Sequence, residues 1–309
     1  MPGSGLSFPS MNPSLLSRRT FLSSAAVAAT AATLHQRLSA AAEVAGQKGR
    51  VNHSVCKWCY PKVSLDDLCK AGKEMGLSSI DLVTPTDFPT LKKYDLVCAM
   101  VTGAVGKLAD GTAVGGITKA FNRPEHHAVL VETYVPFINA TADAGMKNLI
   151  CFSGNREKMD DETGLKNCAD GLKKIMALAE KRGVVICMEL LNSRVNHPDY
   201  MCDHSDWGIA LCKAVGSPNF KLLYDIYHMQ IMEGDVIARI KAGHEYFAHY
   251  HTGGVPGRHE IDETQELNYA PIMRAIVETG FQGHVAQEFI PANPDALASL
   301  KQAVRICDV

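Results

Sequence analysis

Four hydrophobic runs in the second half of the chain each close on an acid or an imidazole. Val-Val-Ile-Cys-Met leads into Glu189, Lys-Leu-Leu-Tyr into Asp225, Tyr-Phe-Ala-His-Tyr into His251, and His-Val-Ala-Gln into Glu288. The intervals are 36, 26 and 37 residues (225−189, 251−225, 288−251), each about one strand-plus-helix unit. Polar side chains at the C-terminal ends of consecutive parallel strands converge on the mouth of a closed β/α barrel.

The rest of the chain keeps the same rhythm. Strand-like runs are expected at 53–56, 79–83, 96–100, 148–152, 184–188, 221–224, 246–249 and 284–287, eight in all, the number a barrel of this type needs. Helical stripes lie between them. One opens at Leu65 behind Ser64 as N-cap, another runs through Leu172, Ile175, Met176 and Ala179 to Gly183, and a third through Tyr269, Ile272, Met273 and Ile276 to Gly280. Alternation of this kind predicts an α/β chain with a parallel sheet covered by helices. A single (β/α)8 barrel is expected, with an open doubly wound sheet as the alternative. No Gly-x-Gly-x-x-Gly follows the first strand, which argues against a dinucleotide fold.

The N-terminal segment reads as a leader. Ser17-Arg18-Arg19-Thr20-Phe21-Leu22 is a twin-arginine signature, and an Ala-rich run from Ala25 to Thr33 follows it. Ala40-Ala41-Ala42 offers a cleavage site before Glu43. Residues 1–42 are therefore expected to direct export to the periplasm or cell envelope by the twin-arginine route. A disordered extension or an ordinary secretory signal is the alternative. The apolar run is too short and too polar for a stable membrane span. Residues 51–309 then make a body of 259 residues (309−50), the typical size of one β/α barrel. A formal net charge of −2 gives no electrostatic footprint for nucleic acid. Of the ten cysteines, Cys98, Cys151 and Cys187 sit within apolar strand runs, where a reduced thiol is a small hydrophobe. Cys56-x-x-Cys59 is half of a metal or redox motif, and the chain has no second half.

Three carboxylates and one imidazole suit one divalent ion of the Mn2+, Mg2+, Co2+ or Zn2+ type. Any one of Glu189, Asp225, His251 and Glu288 alone is as readily a structural salt bridge; the four in phase make the case for ligands. An ion held there would acidify the C–H beside a chelated carbonyl and stabilise the enediolate that forms. Glu189 and Glu288 could then remove a proton from one carbon and return it to the next. His228, three residues after Asp225, is placed to bond a substrate oxygen or to cap a helix. Arg258, in the Gly-Pro-rich loop after the seventh strand, offers a fork for a substrate carboxylate, or else pairs at the surface with Glu260 or Asp262. Trp58, after the first strand, walls the pocket or joins the core. His249, two residues before His251, points to the same side of its strand and should lie one layer deeper.

Glu189-Leu-Leu-Asn192, Asp225-Ile-Tyr-His228-Met-Gln, His251-Thr-Gly-Gly-Val-Pro-Gly-Arg258-His-Glu260 and Gln287-Glu288-Phe resemble the hydroxypyruvate isomerase group. That group lies within the xylose isomerase-like TIM barrel superfamily, beside the ketose 3-epimerases. The resemblance implies a metal held by Glu189, Asp225, His251 and Glu288, with Glu189 and Glu288 as the acid/base pair. It also implies a small hydroxy-keto acid or sugar substrate, and barrels of this type commonly form homo-oligomers. His251 stands where the isomerases often carry Gln and is similar to the epimerases, whereas Val195 replaces a carboxylate that the epimerases use. Isomerisation of hydroxypyruvate to tartronate semialdehyde, or of a related acid, is the expected reaction. Ketose 3-epimerisation is the second reading, and a barrel that binds sugars without turning them over is the third.

Overall fold

The computed structural model describes residues 48–309; the leader expected over 1–42 lies outside the described residues. Six parallel strands form one sheet: β1 Asn52–Val55, β4 Asn148–Cys151, β5 Val185–Glu189, β6 Phe220–Asp225, β7 Phe247–Thr252 and β8 His284–Gln287. Their order is β1-β8-β7-β6-β5-β4. A small antiparallel hairpin, β2 Gly106–Lys107 and β3 Ala113–Val114, lies apart from it and had no counterpart in the sequence reading.

The remaining arc is closed by the segments at 79–83 and 96–101. The single parallel bridges Cys56↔Asp81, Ser79↔Val97 and Val101↔Leu149 carry the ring from β1 round to β4. Asp81 N donates to Val55 O at 2.8 Å, Ile80 N to Val97 O at 3.0 Å and Val101 N to Asn148 O at 2.9 Å. Eight positions therefore complete the barrel, but the second and third are not the regular strands expected. Side chains and a left-handed residue interrupt their ladders. Ser79 Oγ accepts from Ala99 N, Asn148 Nδ2 donates to Ala99 O, and Leu82 sits at φ 59°.

Helices α1 Leu65–Glu74, α2 Phe88–Lys93, α3 His127–Asp143, α4 Asp161–Arg182, α5 Ser205–Val215, α6 Ile226–Met232, α7 Val236–Gly243, α8 Tyr269–Glu278 and α9 Ala296–Cys307 surround the strands. Ser64 caps α1, its Oγ accepting from Asp67 N at 3.0 Å. Gly183 ends α4 at φ 69°, the left-handed position that glycine fills without strain.

One large apolar cluster joins the helices to the outer faces of the strands, and a small one, Met100, Ile150, Cys187 and Leu223, fills the barrel interior. This inner layer positions the site. Along a strand, residues two apart share a face. Glu189 follows Cys187 by two and Asp225 follows Leu223 by two. His251 follows His249 in the same way, and Asp225 pairs in register with His251. The polar groups thus stand one layer above a packed core, at the C-terminal mouth.

Candidate active site and metal centre

Glu189 and Asp225 end β5 and β6, His251 is the last residue but one of β7, and Glu288 follows β8 by one residue. All four are buried, and one ligand-type atom from each lies within 4.8 Å of every other. His251 Nδ1 is 2.6 Å from Glu288 Oε2 and 3.4 Å from Glu189 Oε1. The four residues read as one ligand set from the sequence do meet.

Arg258 enters the same cluster. Its Nη2 donates to Glu288 Oε2 at 2.7 Å and to Asp225 Oδ2 at 3.1 Å, and its Nε donates to Glu288 O at 3.2 Å. The guanidinium carbon lies 5.3 Å from the ring centres of both Trp58 and Tyr227, within cation–π range of each. Pairing with Glu260 or Asp262 is corrected by this arrangement. Glu260 instead accepts from Ala292 N, Asn293 N and Ser299 Oγ around the start of α9, and Asp262 accepts from Thr264.

The loop that carries Arg258 is held by backbone contacts. Gly254 leaves no room for a side chain, since a Cβ there would stand 2.1 Å from Glu260 O. Arg258 sits at φ 59°, a costly conformation for a residue with a Cβ. Arg258 N donates to Gly254 O at 2.8 Å and Arg258 O accepts from Ile290 N at 2.7 Å, which fixes that conformation.

Trp58 is 43% exposed, so it walls the mouth and is not core; its Nε1 donates to Glu288 Oε1 at 2.7 Å. His228 is fully buried in the first turn of α6, with Nε2 3.6 Å from Asp225 Oδ2. Its Nδ1 accepts the Asn192 backbone N–H at 3.1 Å, and the Asn192 side chain sits 2.6 Å from the same atom. Nδ1 is therefore the acceptor, and in the neutral ring Nε2 carries the proton. That atom has no hydrogen-bond partner and faces the cluster. Asn192 and Tyr227 are functional neighbours the sequence reading did not single out. Asn192 stands three residues after Glu189, but its partner lies 36 residues away in the chain, and no local pattern reveals such a contact. His249 lies one layer down, its Nε2 2.6 Å from Asp81 Oδ2.

Burial and mutual repulsion divide the acids. Burial, with the charge of Glu288 added, raises the Glu189 pKa. Burial also pushes Asp225 up to about 8, against the pull of Arg258. Glu288 is buried too, but His251 and Arg258 outweigh burial and hold it well below the usual carboxylate range. Burial would lower His251; the Glu288 and Glu189 carboxylates raise it well above an ordinary imidazole. Burial, helped by Arg258, keeps His228 well below 6.5 and hence neutral.

These residues fit a divalent ion. Glu189 Oε1 is buried with no hydrogen-bond partner, and three carboxylates share one permanent cation, Arg258. Buried acids whose pKa values are pushed up, one with an unpaired oxygen, are ligands whose protons a metal would displace. Oxygen-rich donors with one imidazole suit the hard to borderline ions expected.

Parallel strands closed into a ring, with a carboxylate–imidazole cluster at their C-terminal mouth, define a TIM barrel that carries its functional groups where such barrels carry them. The family profile described as xylose isomerase-like TIM barrel matches residues 71–306. The chain belongs to that family. A 2-oxo-tetronate isomerase from Cupriavidus necator is 38% identical over 113 residues, covering 37% of this chain and 43% of that protein. A Danio rerio protein provisionally named hydroxypyruvate isomerase is 32% identical over 120 residues, covering 39% of this chain and 44% of the other. The chain thus spans under half the length of these relatives. The crystal structure of an AP endonuclease, family 2, from Brucella melitensis superposes with a TM-score of 0.69 at 24% identity, over 81% of this chain and 96% of that one. At that identity the likeness shows the fold alone.

Proposed function

We propose that the chain is a metal-dependent isomerase that acts through an enediolate on a small hydroxy-keto acid of the hydroxypyruvate kind. The observation that carries this reading is the meeting of Glu189, Asp225, His251 and Glu288, with Glu189 and Glu288 pushed to opposite sides of the normal carboxylate range. Two acids separated in this way divide the work of general acid and general base. A divalent ion held by Glu189, Asp225, His251 and Glu288 would supply Lewis-acid polarisation of the carbonyl.

The chain's own groups do the rest. Glu288, held ionised, takes the proton beside the carbonyl, and Glu189, whose Oε1 has no hydrogen-bond partner, returns one to the neighbouring carbon. Neutral His228 donates from Nε2 to a substrate oxygen as negative charge develops there. Trp58 and Tyr227 hold Arg258 beside these groups. With Asp225 and Glu288 also serving as ligands to an ion, the Arg258 guanidinium would have capacity for a substrate carboxylate. The names of the two curated relatives support an acid substrate, since both denote isomerases of carboxylate-bearing hydroxy-ketones. The twin-arginine signature at Arg18 and Arg19 supports the reading that the chain is exported.

Proton NMR in D2O on metal-reconstituted protein tests the reading. Deuterium entering hydroxypyruvate next to its carbonyl, with tartronate semialdehyde appearing, is the expected result. Exchange confined to ketoses would overturn it in favour of a sugar epimerase or isomerase. No exchange with any keto acid or ketose, metal being bound, would replace it with a binding barrel.

A further inference from the structure

Beneath the oxygen-rich cluster a second set of donors meets inside the barrel. His251 directs Nδ1 toward Glu288 and Glu189, while its other nitrogen, Nε2, lies 3.7 Å from Cys56 Sγ and 4.0 Å from Asp81 Oδ2. The donor atoms of Cys56, Asp81 and His251 all fall within 4.8 Å of one another, and all three residues are fully buried. In a tetrahedral site with metal–nitrogen bonds of about 2.0–2.1 Å and metal–sulfur bonds of about 2.3 Å, neighbouring donors stand roughly 3.3–3.6 Å apart. The Nε2–Sγ spacing of 3.7 Å is within a few tenths of an ångström of that, and the Nε2–Oδ2 spacing of 4.0 Å exceeds it by roughly half an ångström, which an ion would draw in.

The carboxylate is oriented as a ligand would be. Asp81 Oδ1 accepts from Ser54 Oγ at 2.7 Å and from Ser79 Oγ at 2.8 Å. Oδ2 is left toward the imidazoles. His249 Nε2 approaches it at 2.6 Å, yet neither atom has a partner in hydrogen-bonding geometry. An ion pair with His249 accounts for the charge of Asp81. It does not account for a thiol and a second imidazole gathered around the same oxygen. Outer partners that fix one oxygen of a carboxylate and leave the other free are the usual support of a metal ligand.

We propose that Cys56, Asp81 and His251 form a second metal site, which takes a thiophilic divalent ion such as Zn2+ or Co2+. On binding, the Cys56 S–H and His251 Nε2–H bonds break, S–metal and N–metal bonds form and both protons pass to solvent; no oxidant or reductant is involved. Burial and the nearby acids keep the free thiol protonated. Soft ions displace that proton, and Mg2+ does not. The two sites therefore select different metals; with both filled, His251 bridges them as an imidazolate, its second ring proton also released to solvent. This assignment holds whether or not the upper site is an isomerase centre.

Titration of the full chain with Co2+, followed by near-ultraviolet absorption, tests it. A saturable cobalt–thiolate charge-transfer band is expected. It persists in Cys59→Ser, in Asp225→Ala and in excess Mg2+, and is lost in Cys56→Ser. X-ray absorption of the Co2+-loaded wild-type chain should show a sulfur neighbour at about 2.3 Å, a readout that needs no variant to fold. Absence of the band and of the sulfur neighbour, or a band that survives Cys56→Ser, would overturn the site. Loss of the band in Asp225→Ala would also overturn it, by tracing the signal to the upper cluster.

Discussion

Arg258 grips Glu288 twice, through the side-chain oxygen Oε2 at 2.7 Å and through the backbone carbonyl at 3.2 Å. Removing the guanidinium as Arg258→Leu leaves buried carboxylates without their one permanent cation. In metal-free protein this should cost about 3–5 kcal/mol of unfolding free energy. Saturating Mn2+ should restore much of the loss, because the ion supplies the missing charge. Denaturant unfolding with and without Mn2+ measures the difference, and an equal loss in both would speak against Arg258 and the metal sharing one set of acids.

Asp225 is buried and belongs to the carboxylate cluster without a proposed proton-transfer role. Asp225→Ala should nearly abolish binding of the oxygen-site ion, read as Mn2+ per chain by equilibrium dialysis. Glu288→Gln should retain substrate binding while turnover falls by roughly 10²–10⁴-fold, the range for loss of a general acid or base. Full Mn2+ retention in Asp225→Ala would refute the ligand assignment.

His228 should exist as one tautomer. Because Nδ1 accepts from the Asn192 backbone at 3.1 Å, and burial with the Arg258 charge holds the pKa well below 6.5, the ring should stay neutral with its proton on Nε2. Nitrogen-15 NMR from pH 8 down to pH 5.5 should show Nε2–H throughout. A titration within that range would contradict the proposed donor role.

Stability should fall in mild acid through His284, at the N-terminal end of β8. Burial pushes its pKa down to about 4, and Ser78 Oγ lies 3.0 Å from its Nε2. Between pH 6.5 and 4 the unfolded chain binds a proton there that the folded chain does not. Its contribution is thus intact above pH 6.5 and declines as pH drops toward 4, by at most about 3 kcal/mol. His284→Gln should flatten the pH dependence of unfolding across that window. An unchanged slope would rule out this histidine as its source.

The ends of β5 to β8 were legible because the signal is local: a hydrophobic run and the polar residue that closes it belong to one strand. The barrel followed from eight such runs. What sequence could not supply was the choice among distant partners. Arg258 has acids two and four residues away, Glu260 and Asp262, yet it reaches Glu288, 30 residues on, because Gly254 and a left-handed backbone turn the loop inward. The runs at 79–83 and 96–100 have strand-like composition, but Ser79 and Asn148 side chains take over ladder positions that a regular strand leaves to the backbone.

All ten cysteines are buried and unpaired. Their protection is a property of the finished fold, since the same thiols stand open to solvent in the unfolded chain. The order of events in the life of the molecule therefore matters: a chain that folds before it meets an oxidising compartment carries its thiols in sealed. One that meets the oxidant while still unfolded has many ways to pair them, and none of those pairings belongs to the barrel.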